Sequence, residues 1–201
     1  MAGKKIVAIG ALTALAFAAT ALAAPSNGGF EKGNLNGWDR TEPGGGQWTT
    51  YTAADGRPSE PTEGTYAATI NQGKPGLNIL HRKLNFKDGR YLSFQLAYDN
   101  EGGSFKDPKS FKFNGQQDNQ QLRVDLLDAG AKIKSLKNAD ILHTVFRTKE
   151  NTPLASPYEF YFLDLKELGI KRKFQLRFAE VDNMNGWFVG VDQVFQSDQI
   201  P

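Results

Sequence analysis

Three sets of residues in this sequence have the types and spacing to do chemistry. In the run Gln121 to Leu126, Gln121, Arg123 and Asp125 alternate with Leu122, Val124 and Leu126. At the two-residue period of a strand, three hydrogen-bonding side chains then share the face turned away from the core. Gln95 and Arg177 hold the same position in two further alternating runs, Tyr91 to Asp99 and Phe174 to Phe178. If those strands are neighbours, Gln95, Gln121, Arg123, Asp125 and Arg177 collect on one sheet face. Trp48, Tyr51 and Tyr66 form a second set, close to loops rich in Gly and Pro. The third is a pair of carboxylates, Glu31 and Asp192, near opposite ends of the chain.

The first two sets suit a glycan. A sugar presents flat apolar faces rimmed by hydroxyls, and a site for it pairs an exposed aromatic ring with amides, guanidinium groups and carboxylates that fix orientation. The polar row also has a simpler explanation, a surface network of ion pairs such as Arg123 with Asp125 or Arg177. Of the tryptophans, Trp38 and Trp187 lie in strand-like runs and are expected in the core. Trp48, beside glycines, is expected to be the platform. The carboxylates suit Ca²⁺, which takes six to eight oxygens from carboxylates and backbone carbonyls; the plainer alternative is that they are turn or surface acids.

Catalytic chemistry is poorly provided for. The two histidines, His81 and His143, are far apart in sequence, cysteine is absent, and no zinc-binding, nucleophile-elbow, P-loop or dinucleotide motif occurs. Glycoside hydrolysis would need two carboxylates facing one cleft. Glu180 and Asp182 share the inward parity of Phe178, where burial is costly without partners. The expectation is a chain that is not an enzyme.

These residues need elements to position them. Met1 to Ala23 has a basic start at Lys4 and Lys5, an apolar run and an Ala21-Leu22-Ala23 cleavage box, the pattern of a secretory signal peptide. Ala24 to Pro201 is then expected to be one domain. The sequence holds 24 basic and 22 acidic residues, so losing Lys4 and Lys5 leaves a near-neutral chain, which argues against a nucleic-acid partner. Gln196 to Pro201 has no apolar tail or sorting signal, so a secreted or periplasmic protein without a membrane anchor is expected. An exported chain without cysteine has no disulfide staple, and an ion joining its ends would be a natural substitute. Short alternating runs separated by Gly, Pro and Asn predict about nine strands and an all-β sandwich. The polar segment Asn100 to Gln120 is long for a compact domain, and Phe105, Phe111 and Phe113 within it predict that part of it packs down.

The run Asn27 to Trp38 (NGGFEKGNLNGW), with its Gly turns, and the terminal Val181 to Phe195, containing GVDQV, resemble the two ends of the galactose-binding-like β-sandwich, or jelly roll, of secreted carbohydrate-binding modules. The runs Asn119 to Asp128, Thr144 to Thr148 and Leu176 to Asn183 resemble the middle of such domains in exported bacterial proteins. The resemblance implies that the two ends meet as strands, and that a structural Ca²⁺ lies between them with Glu31 and Asp192 as its side-chain ligands. It also implies a non-catalytic module for a polysaccharide or other glycan. The alternative is a structural or adhesive protein that binds a partner protein of the envelope or matrix.

Overall fold

A computed structural model of the chain describes residues 26–101, 103–106, 110–113, 118–184 and 187–200; the expected signal peptide, Met1 to Ala23, lies outside them. Nine strands run in the order β1 (Asp39–Thr41), β2 (Gly44–Tyr51), β3 (Ala67–Asn85), β4 (Tyr91–Asn100), β5 (Gln121–Asp128), β6 (Ile141–Arg147), β7 (Ala155–Asp164), β8 (Lys173–Asp182) and β9 (Trp187–Ser197). All their pairings are antiparallel.

The long strand β3 divides its length between two layers. Its first part pairs with β2 on one side and, at Ala68 and Thr69, with β9 on the other. Its second part, from Gly76 onward, pairs with β8, and Ile79 to His81 also pair with β1. One layer therefore reads β2-β3-β9-β4-β7 and the other β1-β3-β8-β5-β6. Sequence reading splits β3 at Gly73, Pro75 and Gly76 into two strands, because turn residues interrupt it. The ladder runs on past them, with a register shift between Gly44 and Gly46 in the partner strand.

The core lies between the layers. Phe94 of β4 meets Phe178 of β8 edge to face at 5.2 Å and stacks on Tyr161 of β7 at 5.0 Å, and Tyr98 of β4 reaches Phe146 of β6. Leu122, Val124 and Leu126 of β5 and Phe174, Leu176 and Phe178 of β8 point into the same core, as their alternation requires. In β9, a register shift against β4 and a left-handed Gln193 (φ 51) form a bulge. It lets both Val191 and Val194 face inward while Asp192 takes the outer face.

The N-terminal run makes turns rather than the expected strand. Asn27 and Phe30 sit at φ 66 and 59, a left-handed backbone outside the extended range of a regular strand. It still meets the last strand, through the Val194 amide donating to the Gly28 carbonyl.

Candidate functional site

Four of the five residues of the expected polar row, Gln121, Arg123, Asp125 and Arg177, share the outer face of the β1-β3-β8-β5-β6 layer, but they are covered. Asp125 and Arg177 are cross-strand partners. Arg123 donates to Asp125 through Nε at 2.6 Å and Nη2 at 2.7 Å, and Arg177 donates through Nη2 at 2.5 Å. The Arg177 Nη1 donates outward to the carbonyls of Ile133 and Ser135 at 2.6 and 2.8 Å, and the Phe111 ring lies 5.1 Å from its guanidinium carbon. Phe111, Phe113 and Ile133 pack over Leu77, Ile79, Ala179 and Val181 of the same face. Burial alone would push the Asp125 carboxyl up, but hydrogen bonds from Arg123 and the charge of Arg177 hold it below the usual range. Gln121 is likewise buried, donating to the Ser110 carbonyl and Asn119 Oδ1. Arg123, Asp125 and Arg177 are therefore a buried network, and with Gln121 they fasten loops to the sheet rather than face solvent. Gln95 belongs to the other layer.

The expected aromatic platform is also internal. Trp48 is 1% and Tyr51 2% exposed. Trp48 points into the core from edge strand β2, with its amide donating to Glu42 Oε1 at 2.5 Å. The Tyr51 hydroxyl donates to the Ser59 carbonyl and meets the Tyr158 hydroxyl at 2.8 Å; burial pushes its pKa up to about 12. Tyr66 is half-buried against the core, and its ring lies 3.1 Å from where a side chain at Gly33 would begin. Neighbouring glycines gave Trp48 the look of a loop residue, whereas it is a strand residue with an inward parity.

The open surface lies instead on the outer face of the β2-β3-β9-β4-β7 layer. In β7, Tyr161 and Leu163 turn inward, leaving Phe160 57% and Phe162 41% exposed. Register places Phe162, Ser93 and Phe195 in one row and Phe160, Gln95 and Asp192 in the next. Tyr91 stacks on Phe162 at 5.4 Å, and the Arg90 guanidinium carbon lies over the Tyr91 ring at 5.0 Å. Arg90 is held by Asp164, whose carboxyl is brought down to about 2 chiefly by that hydrogen bond. The result is a strip of exposed and half-buried rings with Gln95 and Arg90 beside it. Sequence reading missed Phe160 and Phe162, although the run YEFYFL has aromatics on both parities and cannot bury them all in one core.

The two expected ion ligands address one loop. Glu31 accepts from the amides of Thr65 and Tyr66 at 2.8 and 3.2 Å, and its carboxylate occupies the space a side chain at Gly64 would fill. Asp192 accepts from the Thr62 amide and hydroxyl at 2.9 and 2.8 Å and from the Gln193 amide at 2.7 Å. Burial raises the Asp192 pKa to about 6, against the pull of those bonds. Beside it, the Gln193 Oε1 is buried without a hydrogen-bond partner. Two carboxylates and an orphaned amide oxygen are hard donors of the kind Ca²⁺ takes. Among the described residues, however, no group of three or more His, Cys, Asp or Glu side chains converges on a point, so an ion here would depend on carbonyl oxygens as well.

Glu180 is sealed in the core, accepting from the Trp187 indole and from Asn78 Nδ2 at 2.7 Å, and burial raises its pKa to about 8. It faces no open cleft.

No family model matches the sequence, and no curated protein does. Solved structures resemble the fold. A carbohydrate-binding module of the β-sandwich superfamily aligns at 12% identity and a TM-score of 0.52, over 90% of this chain and 64% of that one. The chain thus spans just under two thirds of that structure. A family 61 module solved with β-1,4-galactotriose aligns at 12% identity and 0.50, over 84% of this chain and 93% of that one. The K1 cleaved adhesin domain of Lys-gingipain from Porphyromonas gingivalis aligns at 10% and 0.50, over 86% and 96%. At these identities the likeness is one of fold: the chain is an all-β sandwich of the jelly-roll type these modules use.

Proposed function

We propose that this chain is a non-catalytic binding module for a glycan, which it meets across the strip formed by Phe160, Phe162 and Tyr91 with Gln95 and Arg90 at its side. The observation that carries this reading is the exposure of Phe160 and Phe162 on a sheet face next to half-buried Gln95. Exposed rings in register offer stacking area to pyranose faces, and the amide and guanidinium offer hydrogen bonds. That two of the structures sharing this fold are carbohydrate-binding modules adds support. The signal-like Met1 to Ala23 supports export to the periplasm or the medium.

A structural Ca²⁺ belongs to the same proposal. Glu31, Asp192 and Gln193 would hold it, joining the N-terminal turn, the loop from Thr62 to Tyr66 and β9. When bound it supplies positive charge to a buried carboxylate. Asp192 stands next to Gln95 in the row, so this junction also supports the end of the strip.

A second reading, an adhesive surface for a partner protein, is favoured by one observation: the exposed rings are phenylalanines on edge strand β7, with no hydroxyl to give a sugar. Binding of the purified protein to a panel of bacterial and plant polysaccharides, with calcium and with EDTA, decides between them. The glycan reading expects binding to one polymer class that falls about tenfold or more in Phe160→Ala and Phe162→Ala, while both variants stay folded. Failure of the folded protein to bind any polymer sinks it and leaves the protein partner.

A further inference from the structure

Where the β2 edge of this layer meets β1 of the other, β1, β2 and the turn before β1 line an open pocket of about 450 Å³, with Gly33, Asn36, Trp38, Arg40, Trp48 and Thr50 in its wall. The size is that of a small-molecule site. Its wall is fixed. Asn27 donates through Nδ2 to the carbonyls of Asn34 and Asn36 and accepts from the Lys32 amide. The Trp38 indole donates to the Asn27 carbonyl, and the Thr50 hydroxyl donates to the Gly33 carbonyl at 3.0 Å, tying turn to strand.

The lining is polar and carries one cation. Arg40 is held in place by donating to the Trp48 carbonyl at 3.1 Å, while its side chain remains 47% exposed. Its one recorded ion pair among the described residues, with Glu42, is 4.0 Å long, and that Glu42 oxygen already accepts the Trp48 amide. The guanidinium thus lacks a close carboxylate, although its geometry suits one. Asn36 is exposed.

We propose that this pocket is a second binding site, for a sugar residue bearing a carboxylate, with Arg40 pairing the acid and the wall amides and hydroxyls meeting the ring oxygens. It does not rest on the aromatic strip, whose nearest strand, β4, is three strand spacings from β2, about 14 Å across the layer. Two sites on opposite edges would let one copy engage two points of a polymer or two chains.

Titration of the purified protein with D-galacturonate and with D-galactose, followed by tryptophan fluorescence and calorimetry, tests it. The expected result is saturable galacturonate binding that Arg40→Ala weakens about tenfold or more, that Asn36→Asp abolishes by repulsion, and that the Phe160→Ala/Phe162→Ala double variant leaves unchanged. Asn36→Asp removes no recorded side-chain contact and keeps the test open if Arg40→Ala does not fold. Absence of galacturonate binding by the wild type, equal affinity for galactose, or loss of binding in the double variant overturns the proposal.

Discussion

Glu180 is a carboxyl held in an environment that its charged form does not prefer. Its carboxyl is enclosed by the sandwich core, and burial moves its pKa from 4.5 to about 8 in the folded chain. The unfolded chain releases that proton near pH 4.5, while the folded one keeps it to about pH 8. Between those limits the folded state binds more protons, so its stability falls as pH rises and levels off above about pH 8. The contribution is a few kcal/mol in size. Thermal unfolding at pH 5, 6.5 and 8 should show wild-type protein losing stability across the series more steeply than Glu180→Gln. Equal slopes in the two proteins would show that Glu180 is ionised throughout. Phe160 and Phe162 present the reverse case, apolar side chains left in water. Truncating Phe160 to Ala should change stability by no more than about 0.5 kcal/mol, and truncating Phe162, which stacks on Tyr91, by about 1–2 kcal/mol, so a binding loss in a variant that stays folded would report contact.

At the scale of elements, the buried network under the loops explains how irregular chain is held on a sheet face. Arg177 spends one side of its guanidinium on Asp125 and the other on the carbonyls of Ile133 and Ser135. Removing Asp125 leaves two arginines buried against each other. Asp125→Ala should therefore cost about 3–5 kcal/mol, read by chemical denaturation. Arg177→Leu should raise amide hydrogen exchange in residues 131–137 ahead of the rest of the chain; uniform exchange across the molecule would show that the loop is held by other contacts. The loop from Thr62 to Tyr66 is fixed differently, by carboxylates rather than by a guanidinium. Gly64 has φ 72 and no room for a side chain beside Glu31. Gly64→Ala should destabilise by about 1–3 kcal/mol, with a larger effect if the Glu31 carboxylate is displaced.

For the whole molecule the question is what joins its ends. The N-terminal turn, the Thr62 to Tyr66 loop and β9 meet at Glu31 and Asp192, with no disulfide anywhere in the chain. A bound Ca²⁺ at a free concentration a hundredfold above its dissociation constant would add about 2.7 kcal/mol. For a domain of this size that corresponds to a rise of roughly 5–10 °C in melting temperature. Calorimetry with calcium and then EDTA should show this shift in the wild type and its loss in Glu31→Gln. A melting temperature indifferent to calcium would leave the junction to hydrogen bonds alone. The positions of the two proposed sites, on the β2 and β7 edges of one layer, make the molecule a candidate cross-linker between glycan chains.

The strands were legible in the sequence where one face is apolar. Leu122, Val124 and Leu126, or Phe174, Leu176 and Phe178, announce their period locally, and enough such runs without helical spacing imply a sandwich. The count of about nine strands and the all-β class follow from that local pattern. The packing-down of Phe105 and Phe111 was legible for the same reason, since polar loops do not spend rings on water. What the sequence could not tell is which outward faces stay outward. Gln121, Arg123, Asp125 and Arg177 have the parity of surface residues, and only the tertiary fold brings residues 110–113 and 131–135 over them. Trp48, expected as the exposed platform, is internal, and the unremarked Phe160 is exposed, because exposure depends on which strand lies at an edge and what crosses above it. Those are contacts between residues distant in the chain, and parity, a property of neighbours in sequence, carries no information about them.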